Sequence, residues 1–185
     1  WLEDDRSEET AEWVKAQNDV TFDYLSQIPY REQLKTRLTE LWNYEKVSTP
    51  FSKGKYFFYY KNDGIQNQSI LYFKEGLEGE EKVLLNPNNW SSDGTTSLSN
   101  ISFSKDAEYM AYGVSKAGSD WLELQVMDMK TMQMLSDTIR WVKFSGISWY
   151  KDGFYYSSYD APKEGSEFSN KNEFHKVYYH QLGTD

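Results

Sequence analysis

The chain contains no cysteine. That excludes disulfides, thiolate nucleophiles and zinc–thiolate centres, but it leaves the compartment open, because cytoplasmic and periplasmic proteins both manage without the residue. Histidine is nearly as scarce: His175 and His180 are the only two. They stand five apart within or beside a strand-like run, and odd spacing on a strand sends side chains to opposite faces. They are therefore read as surface or half-buried strand residues and not as one site. Positive charge is short too, with 20 Lys and Arg against 29 Asp and Glu and a net charge of −9. No basic run reverses this locally, so nucleic acid and anionic membrane surfaces are poor partners. No apolar run approaches a membrane span and no signal peptide is visible. A soluble protein, cytoplasmic or periplasmic, is the expectation. The first residue is Trp1 in place of Met, which raises the expectation of a lost upstream segment. The acidic clusters Glu3-Asp4-Asp5 and Glu78 to Glu81 lack the spacing of an acid–base pair or a cation cage. No metal and no cofactor is expected.

Aromatic side chains are abundant, at 17% of the chain: fifteen Tyr, ten Phe and seven Trp. Flat rings suit a pleated, half-buried surface, and they recur in register. Phe51-Ser52-Lys53-Gly54 leads into Tyr56-Phe57-Phe58-Tyr59-Tyr60, Phe103-Ser104-Lys105-Asp106 into Tyr109-Met110-Ala111-Tyr112, and Trp149-Tyr150-Lys151-Asp152-Gly153 into Phe154-Tyr155-Tyr156. The starts at 51, 103 and 149 lie 52 and 46 residues apart. Each unit carries a later strand, at 69–73, 122–127 and 176–180. A period near 50 with about four strands per unit predicts β-propeller blades. In the second unit the strands are expected near 99–103, 109–115, 121–128 and 132–138. The turns Asp63-Gly64, Asp93-Gly94 and Asp152-Gly153 punctuate the runs. A loop at 160–172 lengthens the third unit and is expected to be exposed and mobile. Because the aromatics recur at matched positions, they are read as inter-blade core and not as a carbohydrate platform.

The first part of the chain has a different period. A run from Ser7 to about Gln27 without Gly or Pro predicts one helix, with a broken stripe of Ala11, Val14, Phe22 and Leu25. Pro29 is placed in the first turn of a second helix. There Leu34, Leu38, Leu41 and Trp42 share one face. The fold class is thus mainly β: an incomplete propeller of about three blades preceded by two helices. Residues 1–43 form a helical segment, and 44–185 form the first blades with the third incomplete. Three blades cannot close a ring of four to eight, so more chain is expected downstream.

Many short strings resemble the prolyl oligopeptidase family in collinear order. They include Trp1-Leu2-Glu3-Asp4, Thr39-Glu40-Leu41-Trp42, Gly64-Ile65-Gln66-Asn67-Gln68, Ser92-Asp93-Gly94-Thr95, Gly118-Ser119-Asp120-Trp121, Val142-Lys143-Phe144-Ser145 and the end from Tyr178 to Asp185. The resemblance implies a seven-bladed propeller joined to a C-terminal α/β-hydrolase domain of the same polypeptide. It also implies that the early helices pack on that domain, and that a Ser-Asp-His triad cleaves short peptides after proline while the propeller restricts access. The nucleophile elbow Gly-x-Ser-x-Gly is absent here. Gly146-Ile147-Ser148 continues as Trp149-Tyr150 and Gly113-Val114-Ser115 as Lys116-Ala117, so the chain alone is expected to be inactive. By the same resemblance Phe144 lines the apolar subsite two residues before the substrate's proline, and Asp120 tunes electrostatics near the domain interface. From the residues alone, Phe144 is equally a blade-core ring and Asp120 a turn carboxylate. The alternative for the whole chain is a propeller-type binding scaffold without catalysis.

Overall fold

The computed structural model describes residues 1–184. They divide into two compact units, one of Trp1–Tyr44 with Pro162–Lys171, the other of Glu45–Ala161 with 172–184.

In the first unit, helix α1 (Glu8–Ser26) begins where Ser7 accepts a hydrogen bond from the Thr10 amide, and Glu8 and Glu9 face the positive end of the helix dipole. The preceding residues fold back over it: Thr10 donates to the Trp1 carbonyl at 3.2 Å, and the Trp1 and Trp13 rings meet edge to face at 6.0 Å. Helix α2 (Arg31–Trp42) starts later than the sequence implies, with Tyr30 at its cap. Pro29 lies outside it, in the turn where Arg31 N–H reaches the Ile28 carbonyl at 3.1 Å. A proline disfavours helical geometry in the residue before it, so α1 stops short and α2 begins after. The stripe of Leu34, Leu38, Leu41 and Trp42 is exposed along its length. Residues 162–171 belong to this unit, and Arg6 Nη2 pairs with Glu167 Oε2 at 2.8 Å. No helix among the described residues is long and apolar enough to cross a membrane.

The second unit holds three blade-like antiparallel sheets in chain order, the second and third joined edge to edge into one seven-stranded sheet. The first holds β1 (Lys46–Val47), β2 (Phe51–Lys53), β3 (Tyr56–Asn62), β4 (Ile70–Glu75) and β5 (Lys82–Leu85). Both β1 and β2 pair with β3, so they are one edge strand interrupted at Pro50, which has no amide to give the ladder. Ser48 patches the break: its amide donates to the Tyr60 carbonyl and its hydroxyl accepts from the Tyr60 amide, each at 2.9 Å. The second sheet is β6 (Ser97–Phe103), β7 (Tyr109–Ser115), β8 (Leu122–Asp128) and β9 (Gln133–Val142), each paired with the next. The third is β10 (Ser148–Tyr150), β11 (Gly153–Ser158) and β12 (Lys176–Gln181). It touches the second through one bridge, Ser158 with Val142.

Strand β7 shows how the sheets stack. Its alternate residues Met110, Tyr112 and Val114 enter a core with Phe58, Leu71, Phe73 and Leu85 of the first sheet. Ala111, between them, enters a second core with Leu124, Val126, Ile139, Val142 and Phe154. A strand apolar on both faces is the pattern of a sheet packed on both sides. The recurring aromatics meet across these seams: Phe103 lies 4.7 Å from Phe58 and 6.4 Å from Phe51, and Trp149 stacks on Tyr109 at 6.2 Å. The fold is mainly β, successive propeller-type blades preceded by two helices.

His180 departs from expectation. It is buried, not surface or half-buried, and its Nε2 lies 2.7 Å from Asp137 Oδ1 on β9. His175 precedes β12, so strand alternation does not govern it.

Candidate functional site

Two corners of the second sheet converge on a pocket of about 440 Å³. One is the β7–β8 turn. Ala117 and Gly118 take consecutive positive φ values of 52° and 70°, as in a two-residue type I′ hairpin turn, and Ser119 N–H returns to the Lys116 carbonyl at 3.0 Å. Ser115 donates its hydroxyl to the Ser119 carbonyl at 2.7 Å. This presents Asp120 at the mouth with its side chain 67% exposed.

The other corner follows β9. Trp141 and Phe144 both adopt left-handed φ, 60° and 52°, costly for bulky residues and held only by surroundings that over-determine them. The restraints are specific. Ser158 donates its hydroxyl to the Trp141 carbonyl, and Val142 is fully buried between β8 and β11. Asn100 donates its amide to the Ser145 carbonyl at 2.9 Å, and Ser157 N–H donates to Ser145 Oγ at 2.7 Å. Asn100 reaches across because β6 shifts register between Leu98 and Ile101, a bulge that re-aims a side chain. Gly113 makes the room: a Cβ there would stand 2.7 Å from Asn100 Oδ1. That oxygen is buried and has no hydrogen-bond partner among the described residues.

Phe144 therefore lies outside both cores, 65% exposed at the pocket. The blade-core alternative for this ring does not describe the structure. Asp120 is a turn residue, as its sequence context implied, and it shares the pocket with Phe144. Between them lies Lys143, unremarked in the sequence beyond its place in a string. Its side chain is only 12% exposed, its ammonium 3.7 Å from Asp120 Oδ2, 4.9 Å from the centre of the Trp121 ring and 5.2 Å from that of Phe144. The Trp121 ring also meets Trp141 at 5.7 Å and Tyr159 at 6.2 Å, both edge to face. His175 stacks on Tyr159 at 4.4 Å, with Nε2 3.1 Å from the Lys143 carbonyl. Beside the pocket, burial works to raise the Glu123 carboxyl, but the hydrogen bond from Gln125 and the charges of Lys116 and Arg140 hold it below the usual carboxylate range. Among the described residues no group of three or more His, Asp or Glu is placed to hold a metal ion. Nor does the pocket bring a nucleophile to a base. It offers an exposed ring, a carboxylate and serine hydroxyls: a binding surface.

Comparison with known proteins places these features in context. The model of the prolyl oligopeptidase N-terminal β-propeller domain matches residues 1–185. The prolyl endopeptidases of Elizabethkingia miricola and Elizabethkingia meningoseptica are 53% and 54% identical to the chain over all 185 residues. The chain spans only 26% of the length of each. A solved structure from a study of two prolyl endopeptidases superposes with a TM-score of 0.90 at 34% identity, covering the whole chain and 28% of its counterpart.

Proposed function

The chain belongs to the prolyl oligopeptidase family, as part of its N-terminal propeller region, and on that premise we propose that it gates and partly lines the substrate site of a serine peptidase. The parent enzyme cleaves short peptides after proline, and the catalytic Ser-Asp-His triad lies in a C-terminal α/β-hydrolase domain of the same polypeptide. Residues 1–43 pack on that domain through the stripe of Leu34, Leu38, Leu41 and Trp42, while 44–185 supply the first blades. Support comes from the whole-chain match to prolyl endopeptidases about four times as long, and from the lack of a Gly-x-Ser-x-Gly elbow here.

Within this reading Phe144 forms one wall of the apolar subsite two residues before the scissile proline, and Asp120 sets the charge at its rim. The carrying observation is the Phe144 ring itself, a large apolar group kept exposed on a strained and heavily restrained backbone. Burying substrate surface against such a ring raises affinity without touching the chemistry. The test is Phe144→Ala in the full-length enzyme. For peptides with a large residue two positions before proline, KM rises about tenfold with little change in kcat, the cost of about one lost aromatic contact. Peptides with glycine there respond little. Equal KM values for wild type and variant on the large-residue peptide would refute the assignment.

A further inference from the structure

We propose that Lys143 is a positioning residue that sets specificity, fixing the Phe144 ring as the wall of its subsite. This rests on the reading of Phe144 given above and extends it to a residue that the string Val142-Lys143-Phe144-Ser145 does not single out.

Lys143 is unusual for a lysine next to an exposed pocket. Lysine side chains ordinarily keep their ammonium in water, yet this one is 12% exposed and sits against the rings of Trp121, at 4.9 Å, and Phe144, at 5.2 Å. Both distances fall within the range of cation–π attraction, which strengthens as the cation loses water. The carboxylate partner is the weaker anchor. Asp120 is 67% exposed and its oxygen is 3.7 Å away, the geometry of a screened surface pair. The rings, not the carboxylate, therefore hold the ammonium.

The lysine is also fixed at its other end. His175 Nε2 is 3.1 Å from the Lys143 carbonyl, and its ring lies on Tyr159, which in turn meets the Trp121 ring edge to face. Backbone and ammonium are thus both restrained, and Phe144 follows directly in the chain with φ at +52°. The Phe144 ring is 65% exposed and belongs to neither core, so little packing chooses its rotamer. The neighbouring cation supplies that choice, and the ring is presented in one orientation before any peptide arrives. Binding to a preset ring avoids the entropy cost of ordering it.

The experiment uses the full-length enzyme and two peptides that differ only two positions before proline, one with Phe and one with Gly. In Lys143→Met, which keeps the apolar stem and removes the charge, KM for the Phe peptide rises about fivefold, the size of one partly desolvated cation–π contact. The change lies in KM and not in kcat, and the Gly peptide barely responds. Lys143→Gln repeats the result should the methionine variant fold poorly, and Lys143→Arg recovers most of the loss, because a guanidinium also binds aromatic faces. Asp120→Asn costs less than Lys143→Met.

The double variant Lys143→Met with Phe144→Ala decides the mechanism, since a residue acting only through Phe144 adds nothing once that ring is gone. Additive losses overturn the positioning role and leave the Phe144 subsite standing. So does an unchanged Lys143→Met or Lys143→Gln beside a weakened Phe144→Ala, and so does equal loss on both peptides. An unchanged Phe144→Ala refutes the subsite and this inference with it.

Discussion

At the scale of single residues, Asp137 and His180 form a buried polar contact. Both are buried, and Asp137 Oδ1 receives the His180 ring nitrogen and the Gly183 amide, each at 2.7 Å. Asp137→Ala leaves the buried His180 ring nitrogen without its partner, while the Gly183 amide lies at an exposed residue that water can reach. The expected loss is about 2–4 kcal/mol, measured by chemical denaturation of the parent enzyme. Asp137→Asn keeps an acceptor and loses less. If the alanine and asparagine variants lose equal stability, the contact is not the source of the effect. This pair also marks a limit of reading the sequence. Asp137 and His180 are 43 residues apart, so no local spacing announces their meeting, and each looks like an ordinary strand residue. The roles proposed for Phe144 and Asp120 come from family likeness alone, and the structure adds that the two share one pocket. Lys143 was not legible in the sequence, because its surroundings come from residues 121, 159 and 175, far apart in the chain.

At the scale of elements, the strands were legible where turn residues and alternation agreed. The expected runs 109–115 and 121–128 match β7 and β8 to within a residue. Strand β9 runs on to Val142, four residues beyond expectation. Its buried positions Asp137, Ile139 and Val142 include a carboxylate that breaks the apolar rhythm. The turns joining these strands carry a prediction of their own. Asp128 is held below the usual carboxylate range chiefly by the Thr131 amide, Asp93 by that of Thr95, and Asp152 by the Tyr179 hydroxyl. A carboxyl whose folded value is depressed contributes stability above its unfolded value, near 4, and loses it as pH falls through the folded value. Melting temperature should therefore hold steady from neutrality to about pH 5 and fall below about pH 4. Converting all three to Asn should flatten that fall. An unaltered slope in the triple variant would remove these turns from the account. At the alkaline end Tyr112, pushed up to about 12 by burial, works the other way: its stabilisation is complete below about pH 10 and is lost as pH climbs towards 12.

At the scale of the whole molecule, the two ends of the blade series differ. The outer flank of the first sheet sets half-exposed Val47 and Val83 beside a hydrogen-bonded polar cluster. There Tyr59 donates to Glu81, Lys61 Nζ contacts both Glu81 oxygens at 2.8 and 2.7 Å, and Tyr72 stacks on Tyr59 at 6.0 Å. The outer flank of the third sheet exposes Tyr150, Tyr155, Val177 and Tyr179. Such a face, with the exposed stripe of α2, invites association. Prepared alone, the 185-residue chain should self-associate at micromolar concentration, as sedimentation velocity would record. A monomer that unfolds in one sharp transition well above the usual mesophile range would contradict this. The bare tyrosine flank also has a consequence in time. In the proposed full-length enzyme, a ribosome adding about 5–20 residues per second takes roughly 3 to 10 seconds to make a further stretch of repeat length, and throughout that delay the nascent chain presents this aromatic face to the cell. Chaperone capture during synthesis should concentrate in that window, after Gln181 leaves the exit tunnel and before a covering sheet can form.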